Sequence, residues 1–128
     1  EMIEQPAAAG QDAMLAGLKS KLPILADESC HEAADVARLA PYYDGVNIKL
    51  DKAGGLTEAL KIADAAKDAG MKIMVGCMLS TSLGIAPAFL VAQSADWVDL
   101  DGPALLAEDR DEGFSFADGT IIPPANIL

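Results

Sequence analysis

Five short apolar runs recur along the chain at nearly even spacing, and that spacing restricts the fold more than any other property of the sequence. They begin near Met2, Ile24, Val46, Lys72 and Trp97, about 22 to 26 residues apart. Such an interval holds one strand, one loop and one covering helix, the repeat of a parallel sheet. The runs do not alternate apolar with polar residues, which suits strands covered on both faces. The expected fold class is therefore α/β, with about five parallel strands and covering helices. The spacing alone is compatible with a doubly wound sheet or with part of a (β/α)8 barrel.

Taken in order, the expected strands are Met2–Glu4, Ile24–Asp27, Val46–Leu50, Met71–Cys77 and Trp97–Leu100. A helical segment is expected from about Asp12 to Lys19, with Met14, Leu15 and Leu18 on one face. Ser29, with Glu32 three residues on, reads as the N-cap of a second helix that turns Ala33, Val36, Ala37 and Ala40 inward and stops before Pro41. Gly54-Gly55 introduces a long helix to about Ala69, with Gly70 beyond its end. A further helix is expected from Leu83 to about Gln93, with Pro87 near its first turn. After Gly102-Pro103 the pattern changes, and Gly113 to Phe116 with Asp118-Gly119-Thr120 reads as a small hairpin. Residues 1–102 are thus expected to be the βα units and 103–128 a tail.

Charge placement decides between the two sheet architectures. Glu4, Asp27, Lys49, and Asp99 with Asp101, all stand at the C-terminal ends of expected strands. Barrel enzymes draw their catalytic residues from those ends of several strands. No Gly-x-Gly-x-x-Gly or phosphate loop follows the first strand, which weakens the nucleotide-binding alternative. The favoured reading is the C-terminal half of a (β/α) barrel. Each charge has an ordinary explanation by itself: a surface carboxylate at Glu4, a helix N-terminal charge at Asp27, a lysine reaching out of a strand end at Lys49, turn acids at Asp99 and Asp101. Their joint placement at four strand ends favours a site. Glu4 and Asp27 are hard oxygen donors on neighbouring strands, a pattern that suits Mg²⁺. Lys49, on the next strand, can serve as a base in a partly dry pocket beside such a cation. Cys30 and His31 form an adjacent pair, for which a polar helix start is a better reading than a metal pair.

Composition narrows the partners. The 128 residues include 9 basic and 20 acidic side chains, a formal net charge of -11, which disfavours nucleic acid and anionic membranes. No run approaches the apolar length of a membrane span and no signal peptide is visible. Two cysteines without metal-type spacing suggest reduced thiols and a cytoplasmic setting. A chain that opens at Glu1 directly into a strand-like run is expected to be a fragment or processed piece of something longer. A half-barrel has two open sheet edges, so a homo-oligomer or a partner supplying the other half is expected.

Several motifs together resemble a known group. Ile3-Glu4-Gln5-Pro6, Ala26-Asp27-Glu28-Ser29, Asn47-Ile48-Lys49-Leu50 with Gly54-Gly55, Gly76-Cys77-Met78-Leu79-Ser80-Thr81-Ser82 and Asp99-Leu100-Asp101-Gly102-Pro103 are similar to the enolase superfamily. Within it they most resemble the muconate-lactonizing-type dipeptide epimerases of the L-Ala-D/L-Glu kind, over the chain to about Arg110. The resemblance implies Mg²⁺ held by Glu4 and Asp27 and an acid/base role for Lys49, with Asp99 and Asp101 binding the ammonium end of a dipeptide. It implies 1,1-proton transfer through an enediolate. It also implies a Lys-x-Lys strand, a further metal-binding Asp and an N-terminal capping domain, none of which lies in this chain. The chain alone is then expected to be inactive. The neighbouring readings are an o-succinylbenzoate synthase, N-succinylamino acid racemase or muconate cycloisomerase relative, and a non-catalytic half-barrel.

Overall fold

The computed structural model describes residues 1–125. Five parallel strands lie side by side in chain order: β1 (Ile3–Glu4), β2 (Ile24–Ala26), β3 (Gly45–Lys49), β4 (Lys72–Gly76) and β5 (Trp97–Asp99). Neighbouring strands that are also consecutive in sequence, all parallel and joined by crossovers, curl into a half-barrel. Helices α1 (Ala33–Leu39), the single turn α2 (Leu50–Ala53), α3 (Leu56–Asp68) and α4 (Ser82–Ala92) fill the crossovers.

Register fixes which side chains share a face, because residues paired across a parallel ladder point the same way. Val46 pairs with Ile73, and Ile48 with Val75. These four face the helices and form one buried cluster with Val36 and Leu39 of α1 and Ile62 of α3. Asn47, Lys49, Met74 and Gly76 occupy the alternate positions on the inner side of the curl, and Trp97 and Asp99 follow by pairing with Met74 and Gly76. Leu25, Asn47 and Met74 are buried on that inner side and stand outside the helix-facing cluster.

The connections differ from expectation in instructive ways. Between β1 and β2 there is one 3₁₀ turn, Asp12–Leu15, where a helix to Lys19 was expected. Met14 is 75% exposed and Leu18 59%, so of the expected apolar face only Leu15 packs into the core, and a short helix with so little tertiary packing does not hold. Helix α1 is capped by Glu32, with Asp35 Oδ2 accepting from the backbone N–H of His31 and Glu32. Ser29 does not cap it; its hydroxyl is buried elsewhere. Leu39 and Val36 are the inward residues, while Ala37 and Ala40 face solvent. Pro87 lies in the second turn of α4, since that helix begins at Ser82. Gly54 (φ 76°) and Gly55 (φ 127°) let α2 end and α3 begin without an intervening loop.

Past β5, a 3₁₀ turn at Gly102–Leu105 leads to the hairpin β6 (Ser115–Ala117) and β7 (Thr120–Ile122). Its two turn residues, Asp118 (φ 49°) and Gly119 (φ 73°), have the conformation that matches strand twist. Phe114 anchors the segment against Phe89 of α4, with ring centroids 5.2 Å apart, and Asp109 accepts the backbone N–H of Ser82 at 2.9 Å. The last three residues of the expected tail lie outside the described residues. No helix among the described residues is long and apolar enough to cross a membrane.

Candidate active site

The C-terminal ends of the strands gather most of the charged residues singled out above. Glu4 closes β1, Asp27 follows β2 and Lys49 closes β3. Lys49 Nζ donates to Asp27 Oδ2 at 2.7 Å and stands 3.9 Å from Glu4 Oε1. One cation thus sits between two carboxylates from adjacent strands. Asp27 is 5% exposed, whereas 35% of the Glu4 side chain is open to solvent. Burial pushes the Asp27 carboxyl up, but hydrogen bonds and charge from Lys49 and Lys52 outweigh it and hold the group below the ordinary carboxylate range. Burial in turn pushes the Lys49 ammonium down, and Asp27 with Glu4 outweighs that, leaving it above the usual lysine value. As arranged here, Lys49 holds its proton.

Asp99 and Asp101 stand two strands away. In register, Gly76 pairs with Lys49 on one side and with Asp99 on the other, so Lys49 and Asp99 flank a position that has no side chain. A Cβ placed on Gly76 would lie 2.8 Å from Asn47 Oδ1 and 3.0 Å from Lys49 Cε. The lysine arm therefore crosses the space that the glycine leaves free. Asp99 is raised above its ordinary value, first by burial and then by the neighbouring charge of Asp101. Two carboxylates that repel each other at the end of one strand attract a cationic group.

Three further residues belong to this cluster and were not singled out from the sequence. Asn47, 1% exposed, donates Nδ2 to Glu4 Oε1 at 2.6 Å, and its Oδ1 has no hydrogen-bond partner. Its position two residues before Lys49 on the same strand face was the available signal. Lys52, on the single turn α2, reaches back to pair with Asp27 Oδ1 and to donate to the Asp27, Cys30 and Asn47 carbonyls. Strand alternation does not reveal Lys52, because it lies beyond the strand. Gln5 bonds the backbone of Asp27 through Oε1 at 2.7 Å. Cys30 is buried, with its thiol pushed up to about 11 by burial, while His31 is exposed and bonded to the Glu28 carbonyl. They do not form a pair.

The donor chemistry fits a hard divalent cation at Glu4 and Asp27. Two carboxylates converge on one point that already attracts an ammonium, while the orphaned Asn47 Oδ1 lies on the Gly76 side of its amide, away from Glu4. Among the described residues no group of three or more His, Cys, Asp or Glu is arranged to hold a metal. A divalent cation held there would have two acidic ligands from this chain and would need water or other oxygens to complete its sphere.

A half-barrel with acids and a lysine at its C-terminal mouth has a match among known families. The enolase C-terminal domain-like family matches residues 1–127. The chain belongs to the enolase C-terminal domain-like family. Relatives of this family with a racemase or epimerase name share much of the sequence. An N-acetyl-D-glutamate racemase from Pseudoalteromonas sp is 50% identical over 127 residues, covering 99% of this chain and 40% of that protein. The L-Ala-D/L-Glu epimerase of Escherichia coli is 46% identical over 94% of this chain and 37% of its own length. A solved enolase-family structure from Agrobacterium tumefaciens, described as homologous to dipeptide epimerases and holding sodium and L-Ala-L-Glu, is 56% identical with a TM-score of 0.92. It is matched over 99% of this chain and 39% of that one. The chain thus spans about 40% or less of the length of these relatives.

Proposed function

We propose that this chain is the C-terminal catalytic segment of a cytoplasmic, Mg²⁺-dependent epimerase of dipeptides of the L-Ala-D/L-Glu type. The observation that carries the reading is the convergence of Lys49 Nζ on Asp27 Oδ2 at 2.7 Å and Glu4 Oε1 at 3.9 Å, with the side-chain-free Gly76 between Lys49 and Asp99. Glu4 and Asp27 would be metal ligands. When bound, Mg²⁺ supplies positive charge that stabilises a substrate carboxylate becoming more negative, and it competes with Lys49 for the two protein carboxylates. Lys49 would exchange one proton between Nζ and the substrate α-carbon on one face. A second lysine on the opposite face belongs to the part of the barrel that this chain does not include. Asp99 and Asp101 would hold the substrate ammonium. In this reading residues 1–102 supply the site, and 103–128 form a tail that packs toward a capping domain. The other half of the barrel covers the free edges of β1 and β5.

A second reading is racemisation of N-acylated glutamate, favoured by the 50% identity to an N-acetyl-D-glutamate racemase. That substrate has no ammonium for Asp99 and Asp101 to hold. The two readings separate in one experiment: α-proton exchange in D₂O followed by NMR for the intact enzyme and Asp99→Asn, with L-Ala-L-Glu and N-acetyl-glutamate. The dipeptide reading expects exchange of L-Ala-L-Glu and a KM raised at least about tenfold by the substitution, the loss of one charge-assisted contact. Exchange of N-acetyl-glutamate alone, untouched by Asp99→Asn, would replace it with the second.

A further inference from the structure

Behind the carboxylates lies a hydrogen-bonded cluster that touches no reacting atom. Asp12, 4% exposed, accepts at Oδ1 from the Ser29 hydroxyl at 2.5 Å and the Tyr43 hydroxyl at 2.7 Å, and at Oδ2 from Arg38 Nη1 at 3.1 Å. Burial pushes the Asp12 carboxyl up, but these bonds and the Arg38 charge outweigh it and keep it ionised. Both hydroxyl protons are then committed to Asp12, and the two hydroxyl oxygens can only accept. Gln5 Nε2 uses them, sharing its two protons among Ser29 Oγ and Tyr43 Oη at 3.0 Å each and the Ala7 carbonyl at 2.8 Å. Three acceptors around its nitrogen leave the amide one orientation. Oε1 must face the other way, where it accepts from the backbone N–H of Asp27 at 2.7 Å and of Ser29 at 3.2 Å.

The backbone points to the same device. Gln5 has φ 37°, a region that non-glycine residues enter only at a cost. The turn there carries its side chain across the end of β2, while Glu4 next to it faces into the curl. The β1–β2 ladder pairs Ile3 with Ile24 and Glu4 with Leu25, and its last backbone bond, from Gln5 N–H to the Leu25 carbonyl at 2.8 Å, stops two residues short of Asp27. We propose that Gln5 is a positioning residue: it ties the end of β1 to the end of β2 and so sets the spacing of Glu4 and Asp27. Asp12 fixes the sense of the Gln5 amide through Ser29 and Tyr43. The inference rests on the reading of Glu4 and Asp27 as ligands of a divalent cation.

The test is made in the intact protein, with Mg²⁺ affinity from titration calorimetry and the thermal midpoint measured separately. Gln5→Glu puts an acceptor where three acceptors already converge. It is expected to weaken Mg²⁺ binding about ten- to a hundredfold at a temperature where the variant is fully folded. Asp12→Asn, which can no longer accept both hydroxyl protons at Oδ1 and meet Arg38 with a charge, is expected to weaken it in the same direction, and it serves alone if Gln5→Glu does not fold. Ile62→Val, in the helix-facing core, is the control: a lower midpoint with Mg²⁺ affinity unchanged. Wild-type affinity in folded Gln5→Glu, or in Asp12→Asn where that variant stands alone, would overturn the positioning role and leave the metal reading intact. A wild-type protein that binds no Mg²⁺ would overturn both.

Discussion

The two faces of β3 divide the labour of the molecule. Val46 and Ile48 point outward into the helices, 0% and 1% exposed, and belong to the helix-facing apolar cluster. Asn47 and Lys49 point inward, and between them they contact Glu4 and Asp27. Five consecutive residues thus serve packing and chemistry at alternate positions. The difference teaches that the inner face holds its polar groups only by pairing them with one another, Lys49 with Asp27 and Asn47 with Glu4. Unpaired, a lysine or a buried aspartate would be costly there, and the orphaned oxygen of Asn47 is the group left without a partner.

Substitutions on the two faces should therefore fail in different ways. The largest effect is expected on the inner face. In the intact enzyme, Lys49→Ala should lower the α-proton exchange rate by about 10²- to 10⁴-fold, the usual worth of a positioned acid or base. Circular dichroism should change little, while the thermal midpoint should fall through the lost ion pair with Asp27, which keeps Lys52 as a partner. Retained exchange would remove Lys49 from the chemistry and leave its ion pair with Asp27 as its whole role. Next, on the outer face, Ile48→Ala should cost about 2–5 kcal/mol in urea unfolding. Mg²⁺ affinity should be unaffected in the folded protein. A loss of affinity there would mean that the two faces are coupled through the strand.

Gly76→Ala tests the boundary between them. The added methyl meets the Asn47 amide at 2.8 Å and the Lys49 arm at 3.0 Å, so the lysine must shift. Turnover should fall more than tenfold, with a stability cost of about 1–3 kcal/mol from overpacking. A variant with unchanged turnover would show that the free position between Lys49 and Asp99 has no part in the reaction.

The smallest effect concerns acid. The folded-state value of Asp12 is depressed, so its contribution to stability is present above the ordinary carboxyl value and is lost as pH falls through the folded value. Comparing the protein with Asp12→Asn, the stability difference at pH 7 should shrink below about pH 4. A difference that stays constant down to pH 2 would mean that Asp12 acts by shape alone.

Much of this architecture was legible in the residues. The strand spacing, the parallel order, the charged strand ends and the Asp118-Gly119 hairpin follow from local rules of turn chemistry and from apolar runs, which act within a few residues. The β1–β2 connection was misread because apolar spacing at Met14, Leu15 and Leu18 predicts a face, and only packing decides whether that face has a partner. Ser29 was misread for a related reason. Its sequence neighbours make it a good N-cap, but Asp12 and Gln5, 17 and 24 residues away, claim its hydroxyl.

What the sequence by itself determined was the set of chemical groups and the strand ends that hold them: Glu4, Asp27, Lys49, Asp99 and Asp101. Tertiary structure alone decided their grouping. It placed Lys49 with Glu4 and Asp27, set Asp99 across the Gly76 gap, and brought in Asn47, Lys52 and Gln5. The physical reason is range. Propensity and periodicity act along the chain, whereas register between strands more than 20 residues apart sets which side chains meet. A one-residue slip in β3 would turn Lys49 out toward the helices.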